Sequence, residues 1–279
     1  MPRRRALLFL FALGSVCGAA EDPQARCTDI LQRALSAHNP DTRTQAVIAL
    51  SLASEHNMLW PLLNQMAEDK DVTVRLAVVG SLAEVKSKAA VTALHHLLED
   101  NVPEVRFAAA KALWNLHDPE GRKALLAVVA GDSKTSSGYL SGEMRQAMRM
   151  MHTPATTFLY AVRQGIGFVP VPGLGEGIAS MQALLTDPGI SGRATAVLLL
   201  GKDKDPQLLP ALEDALYDKN WTVRAAAVHS IALRDNAALK KDLLPLVDDD
   251  KEAVRLRAAA GYLRLSAIGS RGVRKAAGK

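Results

Sequence analysis

The sequence predicts an all-α solenoid of stacked helical hairpins, and three observations predict it. First, an aspartate followed six residues later by arginine heads a pattern at 69–79, 100–110, 218–228 and 249–259, with a weaker copy at 187–197. Second, the arginines at 43, 75, 106, 193, 224 and 255 lie 32, 31, 87, 31 and 31 residues apart, the regular period of a repeat architecture. Third, apolar residues flank the pattern at helical spacing: Val91, Leu94, Leu97 and Leu98 precede Asp100, and Ala108, Ala109, Ala112 and Leu113 follow Arg106. Each copy is thus two amphipathic helices joined by a turn. Neither can bury its apolar stripe alone, so the hairpins must stack.

Composition agrees. Hydrophobic residues make up 48% of the 279 and aromatic residues only 4%, which implies an aliphatic core rich in Ala, Leu and Val. A share of 23% charged residues with so much apolar material excludes a disordered chain.

Residues 1–20 read as a signal peptide. Arg3, Arg4 and Arg5 precede the apolar run Ala6 to Val16, small residues follow, and the composition changes at Glu21, Asp22 and Pro23. Eleven apolar residues are too few to span a membrane, which takes about 20. Cleavage is expected after Ala20, and the protein is expected to be exported, periplasmic or secreted. Cys17 sits in a segment that lacks the Leu of a lipoprotein box. After cleavage Cys27 is the only cysteine, so no intramolecular disulfide can form.

Residues 21–118 carry the N-terminal repeats and 187–265 the C-terminal ones. Between them, 119–186 holds degenerate repeats interrupted twice. The Ser/Gly stretch 131–142 reads as an exposed insertion. The segment 165–177 combines two prolines with five glycines and cannot continue a helix. Its apolar residues Phe168, Val169, Val171 and Leu174 either contact a partner or a lipid surface or fill a gap between two halves of the solenoid. The glycines at 173, 175 and 177 follow no strand and precede no Lys-Ser or Lys-Thr, which argues against a nucleotide loop. Residues 266–279 form a basic tail.

The formal charge of +5 is unevenly placed. Three arginines lie in the signal peptide, and Arg264, Arg271, Arg274, Lys275 and Lys279 lie at the other end, so the 243 residues between carry −3. The repeat body offers no charge argument for nucleic acid. The tail is a candidate for peripheral contact with an anionic membrane, and no transmembrane helix is expected in the mature chain.

The Asp-x-x-x-x-Val-Arg-x-x-Ala pattern, clearest at 69–82, 100–113, 218–231 and 249–263, resembles the HEAT-repeat superfamily, in particular the short repeats first associated with phycobilisome lyases. The resemblance implies a right-handed α-solenoid whose second helices line a concave surface for partners.

Asp69, Arg75, Asp100, Arg106, Asp187, Arg193, Asp218, Arg224, Asp249 and Arg255 are expected to form a structural ladder, each Asp capping backbone amides and pairing with an Arg near the start of a second helix. Trp114 and Trp221 are expected to pack. The seven histidines show no same-face chelating pair, His95 and His96 pointing about 100° apart on a helix. HEAT-like hydroxylases hold two irons on repeated His-Glu pairs, and no His here precedes Glu. No catalytic, cofactor-binding or metal-binding residue is nominated, and no cofactor is expected. The function expected is an exported scaffold that binds an unknown protein partner through its concave face. The alternatives are an enzyme with its site in the groove or near 165–177, and a peripheral membrane-binding module.

Overall fold

The computed structural model describes residues 22–53, 57–129 and 192–277. The elements are α1 (Pro23–Leu35), α2 (Pro40–Ala49), α3 (Leu59–Gln65), α4 (Val72–Val85), α5 (Lys88–Leu97), α6 (Pro103–Asn115), α7 (Pro119–Val129), α8 (Gly192–Gly201), α9 (Leu209–Ala215), α10 (Trp221–Ala232), the short α11 (Lys240–Leu243) and α12 (Glu252–Ala277). Short 3-10 turns extend several of them, and no strand occurs among the described residues. The repeat pattern thus yields hairpins in which α2, α4, α6, α8, α10 and α12 are the second helices. The stretches 131–142 and 165–177, with Phe168, Val169, Val171 and Leu174, lie outside the described residues, as do residues 1–20 and Asp187.

Local chemistry sets the helix ends. Asp22, Asn39, Asp71, Ser87 and Asn220 each accept a hydrogen bond from a first-turn amide of α1, α2, α4, α5 and α10. Proline opens α1, α2 and α6, where its missing N–H costs nothing. Lys86, His117 and Asp235 have φ of 52°, 60° and 57°. They occupy one repeat position, eleven residues after Arg75, Arg106 and Arg224, and the left-handed turn there ends the second helix.

The stacking order differs from chain order. α2 packs on α4 and α4 on α6, while α8 packs on α10 and α10 on α12. α12 then packs on α1 and α2. In space the second helices therefore run α8, α10, α12, α2, α4, α6, and the first and last repeats of the chain meet in the middle. Burial reports this directly. Every residue of α2 from Arg43 to Ala49 is buried, and α12 is buried on nearly all sides from Ala253 to Ser266. A terminal cap would need one polar outer face, and neither helix has one.

Close approach of neighbouring second helices needs a small residue six positions after the repeat arginine. Ser81 Oγ donates to the Val47 carbonyl at 2.9 Å, and Ser230 Oγ to the Val197 carbonyl at 3.1 Å. Gly261 holds the same position in α12, where a Cβ would lie 2.8 Å from Leu243 Cδ1 and 3.1 Å from Ala232 Cβ. In α8 the residue is Leu199, which is exposed, as expected of a helix at one end of the described stack.

The basic stretch read as a tail from residue 266 is not separate from the last helix. α12 continues through it to Ala277, so Arg271, Arg274 and Lys275 belong to that helix.

Candidate functional site

Arg75 shows how one rung of the ladder is built. Its Nε and Nη2 grip both carboxylate oxygens of Asp100 at 2.7 and 3.1 Å, and its Nη1 donates to the backbone carbonyl of Asp69 at 2.7 Å. Arg43 grips Asp69 in the same way at 2.8 and 2.9 Å, and Arg224 grips Asp249 at 2.6 and 2.7 Å. Arg193 pairs with Asp218. Each aspartate also accepts the amide two residues on, as from Asp71 to Asp69 and from Val102 to Asp100, both at 2.8 Å.

The expected pair of Asp and Arg six residues apart is thus corrected in one respect. Within a repeat the arginine takes the aspartate's backbone carbonyl, as Arg106 does from Asp100, Arg224 from Asp218 and Arg255 from Asp249. The carboxylate goes to the arginine of the preceding repeat, 25 or 26 residues earlier. An arginine in the first turn of a second helix sits closer to the next hairpin's turn than to the carboxylate behind it. Each rung therefore ties two repeats together.

Electrostatics follows geometry. Burial pushes the Asp69 carboxyl up, but the Arg43 guanidinium and the Asp71 amide outweigh it and hold the group below its ordinary value. The Asn220 amide, with Arg193, does the same for Asp218 against a smaller effect of burial. The Asp69 hydrogen bond holds Arg43 charged, as Asp249 holds Arg224. Asp69, Asp218, Arg43 and Arg224 are thus held in their charged forms and tie neighbouring repeats together.

The rung is missing where chain ends meet. Six residues before Arg43 stands Ala37, not Asp, so the α12 to α2 step has no ladder carboxylate. Other links replace it. Arg26 pairs with Asp248, Thr42 Oγ1 donates to Glu252 at 3.3 Å, and Arg264 Nη1 donates to the Leu52 carbonyl at 2.8 Å while its other nitrogens hold Asp235.

A second link crosses the stack. His229 Nε2 on α10 lies 2.9 Å from Glu84 Oε1 on α4, although α12 and α2 stand between those helices in the stack. Such a chord is possible only on the inside of a tight arc. The Lys202 amine, pushed down mainly by burial, also feels Lys86 and Glu84, so the ends of α4, α8 and α10 converge. Part of the concave side is therefore already spanned by the protein itself.

Among the described residues, large apolar side chains are left in solvent at Met58, Trp114, Leu126, Leu199, Leu200 and Tyr217. Trp114 on α6 is 50% exposed and Leu126 on α7 is 58% exposed, and Leu199 and Leu200 on α8 are also exposed. Trp221 is partly buried against the core as expected, but Trp114 is not. Its position in the repeat is Ala83 in α4 and Ala232 in α10, which have neighbours on that side. A cleft of about 440 Å³ between the turns at 67–70 and 96–101 has the paired ladder residues Asp69, Arg75 and Asp100 in its lining, beside Glu68, Lys70, His96 and Glu99. No group of three candidate metal ligands occurs among the described residues.

No curated protein matches the chain. Among solved structures, human deoxyhypusine hydroxylase in complex with glycerol aligns with 88% of this chain and 97% of its own, at 16% identity and a TM-score of 0.33. The family of HEAT repeats matches residues 59–136 and 179–264, which is more than half of the sequence. With hairpins repeated at the matched positions, the protein belongs to the HEAT-repeat family.

Proposed function

We propose that this HEAT-repeat protein is an exported scaffold that holds a protein partner at the outer helices of its stack. The observation that carries the reading is that Trp114, Leu126, Leu199 and Leu200, on α6, α7 and α8, leave large apolar side chains in solvent. Exposed aromatic and aliphatic side chains are the anchors that protein interfaces use. The bridge from Glu84 to His229 narrows the concave-face reading to the parts of that side near α6 and α8. Export rests on the arrangement of residues 1–20.

A photo-crosslinking residue placed at 114 or 199 should capture the same partner from the envelope fraction, and one placed at the exposed Lys219 should not. Equal capture at all three positions, or none at 114 and 199, would refute the assignment. Removal of residues 1–20 should retain the protein in the cytoplasm, and export without them would refute that part.

A second reading is favoured by the basic residues Arg271, Arg274 and Lys275 in the last turns of α12. Basic residues near an anionic bilayer contribute about 1 kcal/mol each. Co-sedimentation with anionic vesicles that persists after residues 271–279 are deleted would exclude a role for that helix end.

A further inference from the structure

We infer that the junction of α1 and α2 with α12 is an interface in its own right, able to hold residues 22–129 and residues 192–277 together when the chain between them is cut. Three features carry this. The junction packs a second helix on a second helix as inside each half, with α12 against both α1 and α2, and Leu52 Cδ1 on the facing unit lies in van der Waals reach of a Cβ at Gly261. It has polar links of its own in place of a ladder rung, from Arg26 to Asp248, from Thr42 to Glu252 and from Arg264 to the Leu52 carbonyl. Both helices that meet there are buried over long runs, α2 from Arg43 to Ala49 and α12 from Ala253 to Ser266 with only Arg255 and Arg264 partly exposed, so parting them would open apolar faces on both sides.

Repeat stacks are stabilised by nearest-neighbour interfaces, and this one joins repeats that are neighbours in space and most distant in sequence. The partner that fits the outer face of α12 is therefore the α1–α2 hairpin. The peptide connection through residues 130–191 raises the local concentration of one half at the other, but the contact does not depend on it.

The test is a full-length chain with a protease site inserted in the Ser/Gly stretch 131–142. After complete cleavage, the two fragments should elute together at the mass of the uncut protein and should still do so after tenfold dilution. Leu52→Asp, which places a charge at the junction, should release them as separate fragments. Arg264→Ala, a milder change, should raise the concentration at which they part by tenfold or more. Leu94→Ala, buried within one half, should lower thermal stability and leave the fragments together. Separation of the cut wild-type fragments in native buffer would overturn the inference. So would cut Leu52→Asp protein that stays whole, or Leu94→Ala protein that separates as readily as Leu52→Asp.

Discussion

Replacing Arg75 with alanine should cost this protein about 3–5 kcal/mol of folding stability. The size follows from what the substitution leaves behind. Arg75 and Asp100 are only 9% and 7% exposed in their side chains. Without the guanidinium, Asp100 loses both of its charge-assisted hydrogen bonds and stays buried on the Val102 amide, and the Asp69 carbonyl loses its donor. An unpaired buried charge, more than the pair's own attraction, sets the cost. A double substitution, Arg75→Met with Asp100→Leu, removes both charges and should recover most of the loss, giving a coupling of about 3 kcal/mol in a cycle with the two single substitutions. Arg33 supplies the control: it pairs with Asp29 at a similar 2.8 Å but is 80% exposed, and Arg33→Ala should change stability by less than about 1 kcal/mol. Urea unfolding followed by circular dichroism measures each variant against the unsubstituted protein. If Arg75→Ala cost no more than Arg33→Ala, the ladder would be surface decoration and the reasoning from burial would be wrong.

Three further outcomes follow from the same geometry. Lys86→Gly should raise stability by about 0.5–1 kcal/mol in thermal unfolding, because Lys86 sits at a φ of 52° that glycine adopts more freely. Cys27, which burial pushes up to about 11, should resist a thiol reagent at pH 8 in the chain from residue 21 and react with one equivalent on unfolding. Acid should unfold the protein through its ladder. Asp69 and Asp218 are held below their ordinary value in the fold, so their contribution is full above about pH 3.9 and is lost as pH falls through the folded value; stability that rose on acidification through that range would contradict the assignment.

The hairpins were legible because helical periodicity and the Asp to Arg spacing are local features, and residues such as Leu94, Leu97, Ala109 and Leu113 fall in the core where that periodicity puts them. The partner of each rung was not. Asp69, Asp100, Asp218 and Asp249 each have an arginine six residues after them and another 25 or 26 before them, and only the direction in which a first-turn arginine points decides between the two. The order of the stack was hidden for a different reason. An apolar face on α12 requires a neighbour without naming it, and the one clue, Ala37 in place of the ladder aspartate, reads equally well as a first repeat with nothing before it. The exposure of Trp114 and the bridge from Glu84 to His229 depend on that order, so neither was open to a linear reading.

The first and last repeats of the chain are neighbours in space, and the distance between them can be measured in solution. Spin labels on the exposed residues Asp41 and Lys251, each next to a member of the Thr42 and Glu252 pair, would report that distance by pulsed electron resonance. The account predicts a separation below about 20 Å between labels on adjacent helices. A solenoid stacked in chain order would place these repeats several helix spacings of 8–10 Å apart, about 50 Å in all, and that result would contradict it.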